Sequence, residues 1–98
     1  MAVPIWYPGD RATITASFTV SGVLTDPTSV VFETKDPANN ISIFIYGLNF
    51  QLIKDAVGVY HLDVDLPLSG NWYWRSAGTG VAAAAEEGVI PVSSSFFF

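Results

Sequence analysis

The sequence lacks cysteine entirely, and its 98 residues include one histidine and four lysine or arginine residues. Without cysteine the fold cannot depend on disulfides or on a thiolate metal site, and redox chemistry gives no information about the compartment. Nine acidic residues give a formal net charge of −5, which repels the phosphate backbone of nucleic acids. We therefore expect no nucleic acid partner.

Long apolar runs are also missing, although half of the residues are apolar and only 13% are charged. This composition is too apolar for a disordered chain. Proline, glycine and aspartate interrupt every apolar stretch well before the roughly 20 residues that a spanning helix needs. The opening stretch MAVPIWYPGD has no basic segment followed by an apolar run, so no secretory signal is predicted. We expect one soluble domain over residues 1–98, made in a cytoplasm and without a membrane partner.

Turn-forming residues recur every eight to twelve residues or so, a spacing that suits short strands better than helices. Between them lie segments of alternating or β-branched character, which predict strands. These segments are ATITASFTV, SVVFET, ISIFIY, FQLIK, VYHLDVDL, NWYWRS and GVIPVS. Seven or eight strands with little helix predict an all-β fold, either a sandwich or a small barrel.

Period-two alternation also predicts the core. In VYHLDVDL every second residue from Tyr60 is apolar, and in NWYWRS both tryptophans lie on one face, opposite Tyr73 and Arg75. The predicted core residues are Phe18, Val31, Tyr60, Leu62, Trp72 and Trp74. The alanine-rich segment VAAAAEEG, residues 81–88, favours a helical turn but is too short to form a stable helix alone. We expect a loop, a single turn or an irregular edge here, with a regular strand resuming after Gly88.

The spacing Asp55, Gly58, Tyr60 resembles the tyrosine corner of immunoglobulin-like sandwiches, in which the ring packs inward and the hydroxyl bonds to upstream backbone. Asp55 would then cap the preceding turn, and Gly58 would accept a dihedral angle that other residues avoid. We assign these residues a structural role. A catalytic Tyr60 would need a partner base, and His61 lies on the opposite face of its strand.

No set of residues indicates a reaction, so we predict no catalytic, cofactor-binding or metal-binding residues and expect no enzyme. The single histidine, His61, is not accompanied by a nucleophile motif. Asp63 and Asp65 share its strand face, but calcium needs six or more oxygen ligands, and no loop supplies the others. Glu86 and Glu87 are adjacent on a predicted loop, where they favour solubility over acid–base catalysis.

Both ends of the sequence are apolar: Ile5, Trp6 and Tyr7 stand between two prolines, and Phe96, Phe97 and Phe98 follow three serines. Burying three phenylalanines contributes roughly 6 to 9 kcal/mol. Ordering six residues costs about 6 to 12 kcal/mol. The balance is near zero, so these segments either pack on their own domain or bind a partner that offers many copies of a site. We predict segments 1–9 and 93–98 to serve in docking.

Several short motifs in LSGNWYWRSAGTGVAAAAEEGVIPV, DPTSVVFETKDP and DAVGVY resemble small immunoglobulin-like structural proteins of the virions of tailed bacteriophages and prophages. The resemblance covers about two thirds of the chain. Its residues are Asp26, Pro27, Val30, Gly58, Tyr60, Gly70, Trp72, Arg75, 78–80, 82–87 and Val92. The resemblance implies a non-enzymatic virion component with an immunoglobulin-like β-sandwich of about seven or eight mostly antiparallel strands.

The same resemblance implies assembly in a host cytoplasm and a place on the capsid surface or in a head, neck or tail. The expected partners are the major capsid protein or other virion subunits, and a homo-oligomer also fits. An alternative reading is an immunoglobulin-like binding module that recognises a host surface carbohydrate or protein. Tyr73, Trp6 or Tyr7 would then provide aromatic contacts.

Overall fold

The computed structural model describes residues 5–95 and residue 97. Strands make up nearly all of its regular structure, and within these residues the only helical element is one 3₁₀ turn, Gly80–Ala82. The strands are β1 (Asp10–Ser17), β2 (Thr19–Val20), β3 (Val23–Leu24), β4 (Ser29–Lys35), β5 (Ile41–Ile45), β6 (Leu52–Ala56), β7 (Val59–Leu66), β8 (Gly70–Thr79) and β9 (Ala84–Val92). The predicted all-β class is confirmed.

Seven of these strands form two antiparallel sheets, arranged in the manner of a sandwich. One sheet has the order β1-β7-β6 and the other the order β5-β4-β8-β9, while β2 and β3 form a small separate hairpin. Residues from both sheets meet in one apolar core, in which Phe32, Leu62 and Leu66 are completely buried. The core consists of Ala12, Ile14, Ala16, Phe18, Val30, Phe32, Leu52, Tyr60, Leu62, Val64, Leu66, Trp72, Ala82, Ile90 and Val92.

The segment from Ala12 to Val20 is interrupted at Phe18. The Phe18 N–H still donates to the Gly58 carbonyl, just before β7, at 2.7 Å, but the Phe18 carbonyl turns away and accepts the Thr25 N–H at 2.9 Å, so β1 ends at Ser17. The buried Phe18 ring then meets the Tyr60 ring edge to face, with centroids 5.9 Å apart. Phe18 therefore closes the end of the core instead of continuing the strand.

The core prediction was wrong at Val31. Val30 is buried, whereas Val31 is half-buried on the outer face of its sheet. β4 pairs with β8 so that Phe32 stands opposite the buried Ser76, and Val30, two residues before Phe32, faces the core with it. Trp72 is buried as predicted, whereas Trp74 is only partly buried and packs against the margin of the core. Tyr73 lies on the outer face, opposite the two tryptophans.

The expectation that a regular strand resumes only after Gly88 was wrong, because residues 84–88 already belong to a strand. After the 3₁₀ turn, β9 begins at Ala84 and pairs continuously with β8 from Ala84–Gly78 to Val92–Gly70. Alanine and glutamate are good helix formers, but intrinsic propensity is worth less than about 1 kcal/mol per residue, and the hydrogen bonds offered by the edge of β8 outweigh it. Glu86 and Glu87 are therefore strand residues.

Candidate docking surfaces

The two ends of the described chain lie side by side. Trp6 forms a parallel bridge with Val92, and the Ser93 N–H donates to the Trp6 carbonyl at 2.8 Å. The Trp6 side chain is half-buried and packs against the core. Of the residues predicted to dock on a partner, Trp6 is thus held largely by its own domain.

Other apolar side chains at this end are exposed. Ile5 and Phe97 have 61% and 92% of their surface accessible, and Tyr7 and Leu68 are also exposed. A shallow gap lined by Pro8, Pro67, Leu68 and residues 94–95 joins the two ends of the chain to the β7–β8 connection. We call Ile5, Tyr7, Leu68 and Phe97 the end surface. Phe96 and Phe98, also predicted to dock, lie outside the described residues.

A second apolar surface lies on β5, at one edge of the four-stranded sheet. Ile41, Ile43 and Ile45 alternate along the outer face and are all exposed. The following loop exposes Leu48 and Phe50 as well. The sequence predicted a strand here but did not predict that it forms an exposed apolar surface. The segment ISIFI could have indicated this, because its isoleucines alternate and apolar residues lie on both faces. Such a pattern is typical neither of a solvated edge strand nor of a core strand with one apolar face.

The outer face of the same sheet carries a groove lined by both charged and apolar side chains, among them Tyr73, Arg75 and Ile41. Tyr73, about half exposed, stands opposite Lys35 in register, and Arg75 stands between Glu33 and Glu87. The Arg75 guanidinium donates to Glu87 at 3.1 Å. An aromatic side chain beside several charged groups is suited to polar small ligands such as sugars.

Asp26 is the main polar junction of the fold. Its Oδ1 accepts the Gly58 N–H at 2.8 Å and the Tyr60 hydroxyl at 3.1 Å, while Oδ2 pairs with Lys54 at 2.7 Å. The hydrogen bond from Lys54, followed by that from Gly58, lowers the pKa of Asp26. Burial and the contact with Asp26 raise the pKa of Tyr60. These groups join the chain segment before β4 to the β6–β7 turn.

The tyrosine-corner interpretation therefore needs correction. A tyrosine corner lies at a connection between the two sheets and uses a backbone acceptor, whereas Tyr60 follows a hairpin within one sheet and its hydroxyl bonds to the Asp26 carboxylate. Gly58 has φ +74°, and a Cβ there would lie 2.7 Å from the Phe18 carbonyl oxygen. Asp55 bonds to His61 rather than capping the turn.

The histidine and aspartate side chains on the outer face of the three-stranded sheet are hydrogen-bonded to neighbouring side chains. His61 Nδ1 is hydrogen-bonded to the Asp55 carboxylate at 2.7 Å. Asp63 accepts the Thr13 hydroxyl at 2.6 Å, and Asp65 pairs with Arg11 at 2.7 Å. Among residues 5–95 and 97, no hydroxyl group hydrogen-bonds to His61, and no group of three or more potential ligands could hold a metal ion. The surfaces with exposed apolar side chains are thus the stronger functional candidates.

No protein-family model matches this chain, and no curated protein or solved structure is significantly similar to it. Within the described residues, no helix has the length and apolar character needed to cross a membrane. Function is therefore inferred from the geometry of these surfaces and from the motifs of the sequence.

Proposed function

We propose that this chain is a non-enzymatic structural component of a bacteriophage virion, which docks through its end surface onto the major capsid protein or other virion subunits. It would act as a capsid decoration or as a head, neck or tail accessory protein. The observation that supports this proposal is the parallel Trp6–Val92 bridge, which brings two exposed apolar segments together at one end of the molecule.

The strand order supports an immunoglobulin-like identity for the sandwich. In that fold, strands B, E and D form part of one sheet, and strands C, F and G with an added C′ form the other. The orders β1-β7-β6 and β5-β4-β8-β9 match these sets when β1 is taken as B and β9 as G. Immunoglobulin-like domains serve many functions, so the fold supports the proposal only together with the end surface.

The energetics of the end surface suit a lattice of identical partners. Fully burying one phenylalanine side chain contributes about 1.5 to 3 kcal/mol, which is too little for stable binding by one copy after the cost of association. On a particle that presents the same site many times, bound copies that are also linked to one another would bind multivalently, which raises the avidity without any new contact. Aromatic residues such as Tyr7 and Phe97 are also enriched at the centres of protein interfaces.

The test compares variants in particles assembled in cells that make the other virion subunits. The double variant Ile5→Ser, Phe97→Ser removes apolar area from the end surface while leaving the core intact. We expect it to fold normally and to be lost from purified particles, as judged by immunoblot. A matched control is Val57→Ser, an exposed residue in the β6–β7 turn at the opposite end of the sandwich. Equal incorporation of both variants would reject the docking role.

The groove beside Tyr73 supports a second candidate, an immunoglobulin-like module that binds a host surface carbohydrate. Tyr73 exposes about half of its surface next to Lys35 and Arg75, an arrangement able to stack on a sugar ring and bond to its hydroxyls. A glycan array with the purified protein separates the two functions. If a glycan binds and the Tyr73→Ala variant no longer binds it, the carbohydrate module is favoured. If no glycan on the array binds, the assembly role is favoured.

A further inference from the structure

We propose that β5 is a self-association edge, at which two copies of this chain pair antiparallel about a two-fold axis at Ser42. The two four-stranded sheets would join into one continuous eight-stranded sheet. The β5 edge is distinct from the end surface, and its self-association does not depend on the virion role.

The direction of the hydrogen bonds along β5 follows from its pairing with β4. Val31 pairs with Ile45, and the Tyr46 N–H just beyond donates to the Val30 carbonyl at 3.0 Å. In an antiparallel ladder, bonded and non-bonded pairs alternate. The main-chain groups of Phe44 and Ser42 therefore face β4, and those of the three isoleucines face the open edge.

The outward main-chain N–H and carbonyl of Ile45 already have hydrogen-bond partners within the chain. Its N–H donates to the Asn49 side-chain oxygen at 2.9 Å, and its carbonyl accepts the N–H groups of Leu48 and Asn49. In the part of the chain that the structure describes, the outward main-chain groups of Ile41 and Ile43 have no such partner. The open edge consequently offers two donors and two acceptors, at Ile41 and Ile43.

These two positions fix the register of a symmetric pair. If Ile41 bonds to the second copy's Ile43, two-fold symmetry makes Ile43 bond to the second copy's Ile41, and all four open groups of each copy are used. Ser42 then stands opposite itself in a non-bonded pair. A register centred on Ile43 would need the main chain of Ile45, which the Asn49 loop already occupies.

The side chains favour a second copy as the occupant. β5 has no charged residue, so two copies can approach here despite a net charge of −5 each. On the outer face Ile41 would pack against Ile43, and both are more than half exposed in the single chain. The opposite edge, β9, carries Glu86, Glu87 and Pro91, which discourage pairing with an identical strand.

Single cysteines test the register directly, because the natural chain has none. In the proposed pair, the Cα atoms of a Ser42→Cys variant would be about 4.5 Å apart, within disulfide range. Those of an Ile43→Cys variant would be diagonal neighbours about 7–8 Å apart, beyond that range. We expect mild oxidation to convert most of the Ser42→Cys protein to covalent dimer and little of the Ile43→Cys protein. Equal cross-linking of both variants would overturn the register.

Sedimentation velocity over a concentration series tests association without a cross-link. We expect the natural chain to shift from monomer to dimer and the Ile43→Lys variant to lose the dimer. Val89→Lys is the matched control, because Val89 is similarly exposed on the outer face of the opposite edge strand. Ile43→Pro is a second variant, which removes an outward N–H and leaves the β4 ladder intact; circular dichroism checks that each variant folds.

A natural chain that remains monomeric at every concentration would overturn the proposal, as would a dimer that Ile43→Lys does not weaken. Recruitment of a foreign strand to β5 by a chain that never dimerises would also overturn it. The end-surface variant Ile5→Ser, Phe97→Ser should dimerise like the natural chain. Failure of the virion role and failure of the β5 dimer are therefore distinguishable.

Discussion

The hydroxyl of Tyr60 donates a 3.1 Å hydrogen bond to Oδ1 of Asp26, which lies 34 residues earlier in the chain. The same oxygen accepts the Gly58 N–H, and the other carboxylate oxygen binds Lys54. One carboxylate therefore holds the β6–β7 hairpin against the segment that leads into β4. Because the hairpin belongs to one sheet and the Asp26 segment leads into the other, these contacts hold the two sheets together at this end of the core.

Removing the two partners of this bond should have unequal effects. Tyr60→Phe deletes one hydroxyl and should lower the free energy of unfolding by about 1 kcal/mol. Asp26→Ala leaves the Gly58 N–H and the Tyr60 hydroxyl without their acceptor, so it should destabilise the fold more than Tyr60→Phe does. Urea denaturation followed by tryptophan fluorescence measures both. A smaller loss of stability for Asp26→Ala than for Tyr60→Phe would show that Asp26 does not hold the hairpin to the segment before β4.

The depressed pKa of Asp26 predicts acid sensitivity. Because the folded-state pKa lies below the unfolded one, the contribution of Asp26 is complete above the ordinary carboxyl pKa of about 3.9 and is lost as pH falls through the lower folded value. The hydrogen bond from Lys54 is the largest cause, so Lys54→Met should raise the pKa of Asp26. Carboxyl chemical shifts measured during an NMR pH titration test this, and an unchanged Asp26 titration would contradict it.

Gly88 allows Trp74 to lie across β9. A Cβ built at Gly88 would stand 2.5 Å from the indole ring, so Gly88→Ala must displace the tryptophan. We expect a loss of about 1–3 kcal/mol, as for other overpacked sites, and a red-shifted fluorescence spectrum. Glu87→Ala is the control, because it removes only an exposed ion pair worth about 0–1 kcal/mol. Equal stability of the two variants would show that the ring moves freely.

Alternation predicted the faces of β7 and β8 well, since each strand has one clearly apolar side. It could not predict the bond between Asp26 and Tyr60, because a contact between distant segments leaves no local pattern. Helix propensity, in turn, failed at residues 84–87, where pairing with β8 outweighs the helical preference of alanine. The role of the β5 edge depends on hydrogen-bond direction, which requires the register of β4 and the position of the Asn49 loop.

The adjacent valines of β4 show the remaining ambiguity and provide a direct test of the register. In SVVF both valines are apolar, so alternation alone cannot say which one faces the core. Val30 is 2% exposed and Val31 lies on the outer face.

Val30→Ala removes about two methylene equivalents at about 0.8 kcal/mol each and leaves a cavity, so it should cost about 2 kcal/mol or more. Val31→Ala should cost less than about 1 kcal/mol by the same area reasoning. Urea denaturation of the two variants measures the difference, and a larger loss for Val31→Ala would mean that β4 is shifted by one residue against β8.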